Sequence, residues 1–440
     1  MSKKKLILDL ITKGPNWLNI IALRLNKHPN LLFEKKYKEV KEKFYTKSSS
    51  HINIFLHAQK NTPFYAEKYK STKVQTNLDF SEKVEFIDKD IVAKNLDKFL
   101  SQQNHKNLDS CTTGGTSGKP LQLFLPKDRF VYELGALHAL WGKIGFNFST
   151  RAVIRNHRVL DRDYIINPIT KEIIFDGFRS DNEYQEVIYR TMKRLNVEFL
   201  HAYTSNAERF FNFVLNNALE YDFIKGIITS SENLYDHQTQ LFSKLHDVKH
   251  MNFYGHSEKL ILGGSCPKSS TYHFYDSYGK AELVDEHGKE IDKIGEIGEL
   301  VGTTNYNIGM PLIRYRTGDY AIKAPQTCPY CGFQGLSVSK IMGRWFGERI
   351  YNKNNSYVST TALNLHSKIY DHLDGIQYYH NAPGYLKILI IPGRTYSIKI
   401  EEELLQYISN KFEKDMEVEV VKVKEMKKNK NGKFLMLIKE

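Results

Sequence analysis

Hydrophobic and polar positions change their period along the chain, and the changes divide it. Residues 1–75 are polar with apolar positions at helical intervals, and Asn61-Thr62-Pro63 breaks them because proline cannot continue a helix interior. The same period predicts a further helix over 80–100. A short apolar run, LQLFLP at 121–126, predicts a strand, and 128–145 returns to the helical period with aromatic and small residues on one side. Between 150 and 235, short apolar runs alternate with helix-period segments: RAVIRN, EVIYRTMKRLN, VEFLHAY, NAERFFNFVLNNAL, FIKGIITSS. Such alternation predicts α/β layering on a mainly parallel sheet. From 270 to 325 the runs shorten between polar turns, as in GEIGELVGTT, which predicts a β-rich part. After Gly343 the pattern restarts. DGIQYYHN, YLKILIIPG and VEVVKVKEM read as strands, with EEELLQYISNKFEKD an amphipathic helix between the last two. The expectation is an α/β chain of two domains. A large domain spans 1–343, with a helical lead-in over 1–75 and a β-rich part over about 260–335, and a small α+β domain spans 344–440.

Composition narrows the class. With 440 residues, 41% hydrophobic and 12% aromatic, the chain can bury the cores of two or three domains, which excludes wholesale disorder. A formal charge of +13 suits anionic partners such as ATP or an acidic membrane surface. The charge is spread along the chain, with no basic stripe interleaved with aromatics, so no specific nucleic acid is expected. No run reaches the roughly 18 apolar residues of a membrane span. Leu6, Ile7, Leu10 and Ile11 fall at helical spacing, but Asp9 interrupts the patch and no small-residue cleavage site follows. The expectation is a cytoplasmic monomer or homodimer with at most peripheral membrane contact.

The chemistry centres on CTTGGTSGKP at 111–120. Its glycines permit positive φ and close backbone approach, and its hydroxyls and N–H groups can ring an anion. Walker A spacing is not met, because three residues separate Gly114 from Gly118 and Pro120 follows Lys119. Four more segments follow in order: TSSENL from Thr229, FYGHSE from Phe253, PLIRYRTGDY from Pro311 and NKNGKF from Asn429. Together the five resemble the adenylate-forming acyl/aryl-CoA synthetase superfamily. Within it they resemble the phenylacetate–coenzyme A ligase-like branch, including its capsular-polysaccharide-biosynthesis type, from about residue 40 to the C-terminus.

The resemblance implies ATP-dependent activation of a carboxylic acid through an acyl-adenylate. The acyl group would then pass to coenzyme A, an amine or hydroxyl, or a carrier. Thr112, Thr113, Gly114, Gly115, Thr116, Ser117, Gly118 and Lys119 would cradle the phosphates, with Thr113 acting in catalysis. Glu258 would bind Mg2+, a hard ion that prefers oxygen ligands. Tyr254, Gly255, Ser257, Ser231 and Glu232 would line the nucleotide pocket. Asp319 and Arg344 would contact the ribose, Arg316 would be structural or touch phosphate, and Lys433 would be the catalytic lysine of a mobile small domain. Tyr132, Leu137, Trp141 and Tyr203 are acyl-pocket candidates by position.

Cysteine spacing adds a metal candidate. Cys328 and Cys331 form a CPYCG knuckle, and Cys266 and His273 lie upstream. Cys3His is a closed tetrahedral zinc set, and some members of the resembled branch carry such a site. Reduced cysteines or a redox pair are the other readings. At the domain junction, GRWFGE replaces the branch's usual acidic pair, which bears on the second half-reaction. Two rivals remain. One is an acyl-protein synthetase that loads a protein thiol, favoured by any reactivity of Cys111, and the other is a zinc-stabilised basic binding protein without catalysis.

Overall fold

The computed structural model describes residues 14–26, 34–46, 50–113, 121–232, 234–342, 349–359, 363, 369, 372–412, 415–425, 427 and 437–439. The apolar N-terminal patch, the loop 114–120, Arg344 with the domain junction, and Lys433 lie outside the described residues.

A hairpin of β1 (Leu108–Thr112) and β2 (Gln122–Pro126) stands apart from the main sheet. Twelve strands then form one sheet. Its first half comprises β3 (Arg151–Ile154), β4 (Tyr164–Asn167), β5 (Glu172–Phe175), β6 (Phe199–Tyr203), β7 (Gly226–Ser230) and β8 (Lys249–Tyr254). Its second half comprises β9 (Gly263–Ser265), β10 (Tyr272–Phe274), β11 (Gly279–Val284), β12 (Ile297–Thr304), β13 (Tyr315–Lys323) and β14 (Ser337–Ile341). The order is β11-β12-β13-β14-β10-β9-β8-β7-β6-β3-β5-β4. Strands β5, β3, β6, β7 and β8 run parallel, joined largely by helical crossovers, as buried parallel strands require. From β8 onward every pairing is antiparallel, so the β-rich part continues the same sheet.

The helix Asn182–Leu195 shows how a crossover is specified. Asp181 accepts a bond from the Tyr184 N–H at its start, and Asn196 ends it with φ 50°. Tyr184, Ile188 and Met192, four residues apart, are fully buried against the sheet. Each such side chain contributes about 1.5–3 kcal/mol.

The helix predicted over 80–100 is broken. Helices occupy Asn77–Lys83 and Lys89–Lys94, with a 3-10 turn at Leu96–Phe99. Between them Val84 is extended, and Ile87 pairs with the start of β13 through bonds to the Arg314 carbonyl and from the Arg316 N–H. A long-range backbone pairing thus overrides a local helical pattern.

The C-terminal part holds a small hairpin, β15 (Arg349–Tyr351) with β16 (Tyr357–Ser359), and a four-stranded sheet. The latter orders β19 (Glu417–Lys422), β18 (Tyr385–Pro392), β17 (Leu373–Ala382) and β20 (Leu437–Ile438). The predicted helix, Ile398–Ser409, crosses between β18 and β19 and buries Leu404 and Ile408.

The small part docks on the large one through Lys411 and Phe412. Lys411 Nζ donates to Asn156 Oδ1 at 2.7 Å and lies over the rings of Phe178 and Tyr407. Arg158 donates to the Phe412 carbonyl at 3.1 Å and pairs with Asp176. Burial, reinforced by the Arg158 charge, pushes the Lys411 ammonium down to about 8, with Asp176 opposing. The folded chain therefore holds fewer protons than the unfolded one between about 8 and the ordinary lysine value near 10.4. Stability should rise with pH across that window, and Lys411→Met should remove that part of the rise. Melting temperatures of parent and variant from pH 7 to 10.5 check this (~3.5 pH units bracketing the window); parallel curves would refute it.

Candidate active site

The parallel strands β3, β6, β7 and β8 end on one edge of the sheet, where open α/β sheets bind their ligands. Two of the segments carrying the resemblance, FYGHSE and PLIRYRTGDY, are bonded to each other there. Tyr254 ends β8, and its hydroxyl donates to Asp319 Oδ2 on β13 at 2.7 Å, across 65 residues of sequence. Two residues beyond Tyr254, His256 Nδ1 lies 2.9 Å from Glu258 Oε2. The hydroxyl of Tyr315, also on β13, reaches Glu258 Oε1 at 3.4 Å. Two hydrogen bonds thus tie the YGHSE turn to the YRTGD strand. Glu258 is buried, and Gly255 is exposed with Ser257 half-buried beside it.

Asp319 is held from its backbone side. Its N–H bonds the Thr317 hydroxyl, and the Gly318 N–H, at φ 75°, bonds Glu299. Arg316 pairs with Glu299 at 3.0 Å. Asp319→Ala should weaken ATP binding by about 1–3 kcal/mol, the scale of a lost hydrogen bond to a charged group. Equilibrium dialysis of ATP provides the check, and undiminished binding would remove Asp319 from the nucleotide site.

Other candidates have different surroundings. Thr113 closes the neck of the Thr/Gly loop: its N–H bonds the Leu121 carbonyl at 2.9 Å, and its hydroxyl accepts from the Leu121 N–H at 3.0 Å. Thr112 pairs with Gln122 across the hairpin. Gly114, Gly115, Thr116, Ser117, Gly118 and Lys119, expected to cradle the phosphates, lie outside the described residues, as do Arg344 and Lys433. Ser231 follows β7 at φ 69°, and its hydroxyl accepts from Arg155 at 3.1 Å. Glu232 receives the Ser205 N–H at 2.8 Å and its hydroxyl at 3.1 Å, which caps the start of the helix Thr204–Asn216.

Of the acyl-pocket candidates, Tyr132, Leu137 and Trp141 share one hydrophobic cluster and Tyr203 belongs to another. Tyr132 stacks on Tyr306 at 3.9 Å, and its neighbour Leu137 packs at the edge of the same cluster as Trp141. Trp141 is 1% exposed and packs against Phe146, Phe253 and His201. Tyr203 is buried at the end of β6 beneath the Arg155 guanidinium. Sequence reasoning gave no role to His256, Tyr315, His201 or Arg155. The first two stand inside segments already singled out. Arg155 was visible as a charge directly following the wholly apolar end of β3.

A second cluster lies among β9, β10 and the loop from β13 to β14. The ligand atoms of Cys266, His273, Cys328 and Cys331 all fall within 4.8 Å of one another. That spacing suits a tetrahedron with metal–sulfur distances near 2.3 Å. His273 directs Nε2 toward Cys331 Sγ at 3.3 Å, while Nδ1 meets the Ser337 hydroxyl at 2.9 Å. An imidazole held by its far nitrogen is how protein metal ligands are oriented. Gly332, at φ 71°, turns the knuckle. By contrast, burial pushes the Cys111 thiol up, leaving less thiolate at neutral pH and weakening the acyl-thiol rival.

No family model matches the chain. Protein CapK of Staphylococcus aureus is 23% identical over 327 residues, 70% of each protein. A phenylacetate-coenzyme A ligase of Thermus thermophilus is 34% identical over 100 residues, 22% of each. Among solved structures, 2-hydroxyisobutyryl-CoA ligase with 2-HIB-AMP and CoA in its thioesterification state superposes with TM-score 0.53 at 14% identity. That match covers 92% of this chain and 90% of the ligase. The same enzyme with 2-HIB-AMP in its postadenylation state gives 0.50 at 13% identity, with the same coverage. At these identities the likeness speaks to the fold, a large mixed α/β domain and a smaller α+β part. Among the described residues, no helix is long and apolar enough to cross a membrane.

Proposed function

We propose that this chain, which has the fold of the adenylate-forming acyl- and aryl-CoA ligases, activates a carboxylic acid with ATP. The observation that carries the reading is the junction of β8 and β13, where Tyr254 bonds Asp319 and Tyr315 bonds Glu258. Two carboxylates stand there, Asp319 within β13 and Glu258 in the turn after β8, one suited to ribose hydroxyls and the other to a hard cation.

The substrate carboxylate attacks the α-phosphorus of ATP, the bond from that phosphorus to the bridging oxygen breaks, and pyrophosphate leaves. Two anions must approach each other, so the barrier falls with orientation and fixed donors. Asp319 accepts from the ribose hydroxyls and sets the nucleotide's register. Glu258, oriented by His256 and Tyr315, would hold Mg2+, which neutralises phosphate charge when bound. The Thr/Gly loop, closed at its neck by Thr113, and Lys433 supply donors and a point charge to the phosphates. In the second step an acceptor, coenzyme A or another nucleophile, attacks the acyl carbon and AMP leaves. Cys266, His273, Cys328 and Cys331 would hold a structural zinc. Work in surface-polysaccharide biosynthesis is the finer reading suggested by the motifs and the likeness to CapK.

The test is pyrophosphate release from ATP and Mg2+ across aryl, fatty and hydroxy acids, each with and without coenzyme A. Release that requires one acid supports adenylation, and stimulation by coenzyme A identifies the acceptor. Silence without ATP binding would favour a non-catalytic binding protein. Lys433→Ala should lower the adenylation rate by about 10²–10³, the cost of one lost transition-state donor, while ATP binding persists. Equal loss of both would overturn the role of Lys433.

A further inference from the structure

Three arginines follow one another along β3 and just past its end, and they differ in what neutralises them. Arg151 pairs with Glu172, and Arg158 pairs with Asp176 at 3.2 Å. Arg155 has no carboxylate within ion-pair distance among the described residues. Its guanidinium instead reaches across the ends of two neighbouring strands. One Nη contacts His201 Nε2 on β6 at 3.2 Å, and the other donates to the Ser231 hydroxyl after β7 at 3.1 Å. It lies 5.5 Å over the ring of Tyr203, and its Nε is buried without a hydrogen-bond partner among the described residues. The carboxylate on the neighbouring strand end, Glu232, is turned to Ser205. Burial, with the Arg155 and Arg151 charges, holds His201 far below its ordinary range, so the imidazole stays neutral and its Nε2 accepts from Arg155.

A half-buried cation without a counter-charge costs free energy unless something completes it. Here it stands at the carboxyl ends of β3, β6 and β7, where the substrate of this fold class binds. Its neighbours are a neutral imidazole, a hydroxyl and aromatic rings, and none supplies negative charge. A planar guanidinium matches a carboxylate with two parallel hydrogen bonds. We propose that Arg155 is a specificity-determining residue that binds a second carboxylate of the acid substrate, so that the preferred substrates are dicarboxylic acids. This rests on the adenylating reading above. One carboxylate goes to the α-phosphorus and the other to Arg155, with the aromatic wall of Tyr203 beside the carbon skeleton.

The experiment compares kcat/KM for pyrophosphate release with succinate, glutarate, adipate and isophthalate against butyrate, valerate, hexanoate and benzoate. The best diacid should exceed its monoacid counterpart by about tenfold or more, as expected for a charged hydrogen-bonded pair. Arg155→Met should collapse that ratio toward one, chiefly through KM, and Arg155→Lys should keep part of it. A parent enzyme that uses monoacids as well as diacids overturns the proposal, whether or not Arg155→Met folds. So does a ratio unchanged in Arg155→Met, and in both cases adenylation itself stands. Silence with every acid while ATP remains bound overturns the dicarboxylate assignment, and silence without ATP binding overturns the adenylating reading as well.

Discussion

Cys328→Ser is expected to release zinc and lower stability by about 4–5 kcal/mol, in the range where metal loss falls among single substitutions. Zinc-finger peptides gain about 10–16 kcal/mol from their metal because it supplies most of their core. Here the loss is smaller, since the surrounding strands have apolar support of their own. Phe274 and Val338, on β10 and β14, are almost fully buried in the cluster shared with Leu283 and Leu300. A metal held by this set would tie the loop between β13 and β14 to the turn after β9, where Cys266 stands. That loop carries the exposed Cys331 and the buried Cys328, and its Phe333 ring stacks on His273 at 4.5 Å. Elemental analysis should find about one zinc per chain in the parent and none in the variant. Denaturant unfolding gives the stability difference. A parent that is metal-free and fully folded as purified would refute the zinc assignment.

The legibility of these features in the sequence follows the range of the interactions that make them. The alternation over 150–235 gave the parallel half of the sheet, because each strand and helix carries its own period. The restart after Gly343 gave the small sheet for the same reason. The continuation of the sheet through β9 to β14 was not legible, because antiparallel pairing such as β10 on β14 joins residues 64 apart and leaves no local trace. The same holds for the extended segment at Val84–Asp88, which reads as helix until its partner on β13 is known. In the site, the sequence singles out Tyr254, Glu258 and Asp319 but not the bonds from Tyr254 to Asp319 and from Tyr315 to Glu258. It proposed Trp141 for the acyl pocket because aromatic residues serve cores and pockets alike, and the structure places it deep in the core. The four metal-ligand candidates were legible as a set because the knuckle spacing is local and cysteines are few.

Arg314→Met should destabilise the chain by about 3–5 kcal/mol, the cost of breaking a buried ion pair from one side. Arg314 and Glu282 are each 4% exposed. The Arg314 guanidinium bonds Glu282 through Nε at 3.3 Å and Nη2 at 2.9 Å. Its remaining donor, Nη1, serves the carbonyls of Ser81 at 2.7 Å and Val84 at 2.6 Å, and the Phe86 ring lies 4.0 Å away. Its backbone stands at φ 49°, held by the Thr303 hydroxyl and by Ile87. One side chain therefore ends the helix Asn77–Lys83, anchors the extended segment after it and neutralises β11. Methionine fills much of the volume but strands Glu282, whose carboxyl burial already raises against the opposing pull of Arg314. Glu282→Gln combined with Arg314→Met should recover part of the loss, because the stranded group is then neutral. Urea unfolding of the two singles and the double completes the cycle, and additive losses would show that the pair is not coupled. Arg314 immediately precedes β13, five residues before Asp319, so the single variant should also raise the ATP concentration needed for half-maximal activity. That second readout separates a local loosening of β13 from a general loss of stability: with only the latter, the enzyme that remains folded would bind ATP as the parent does.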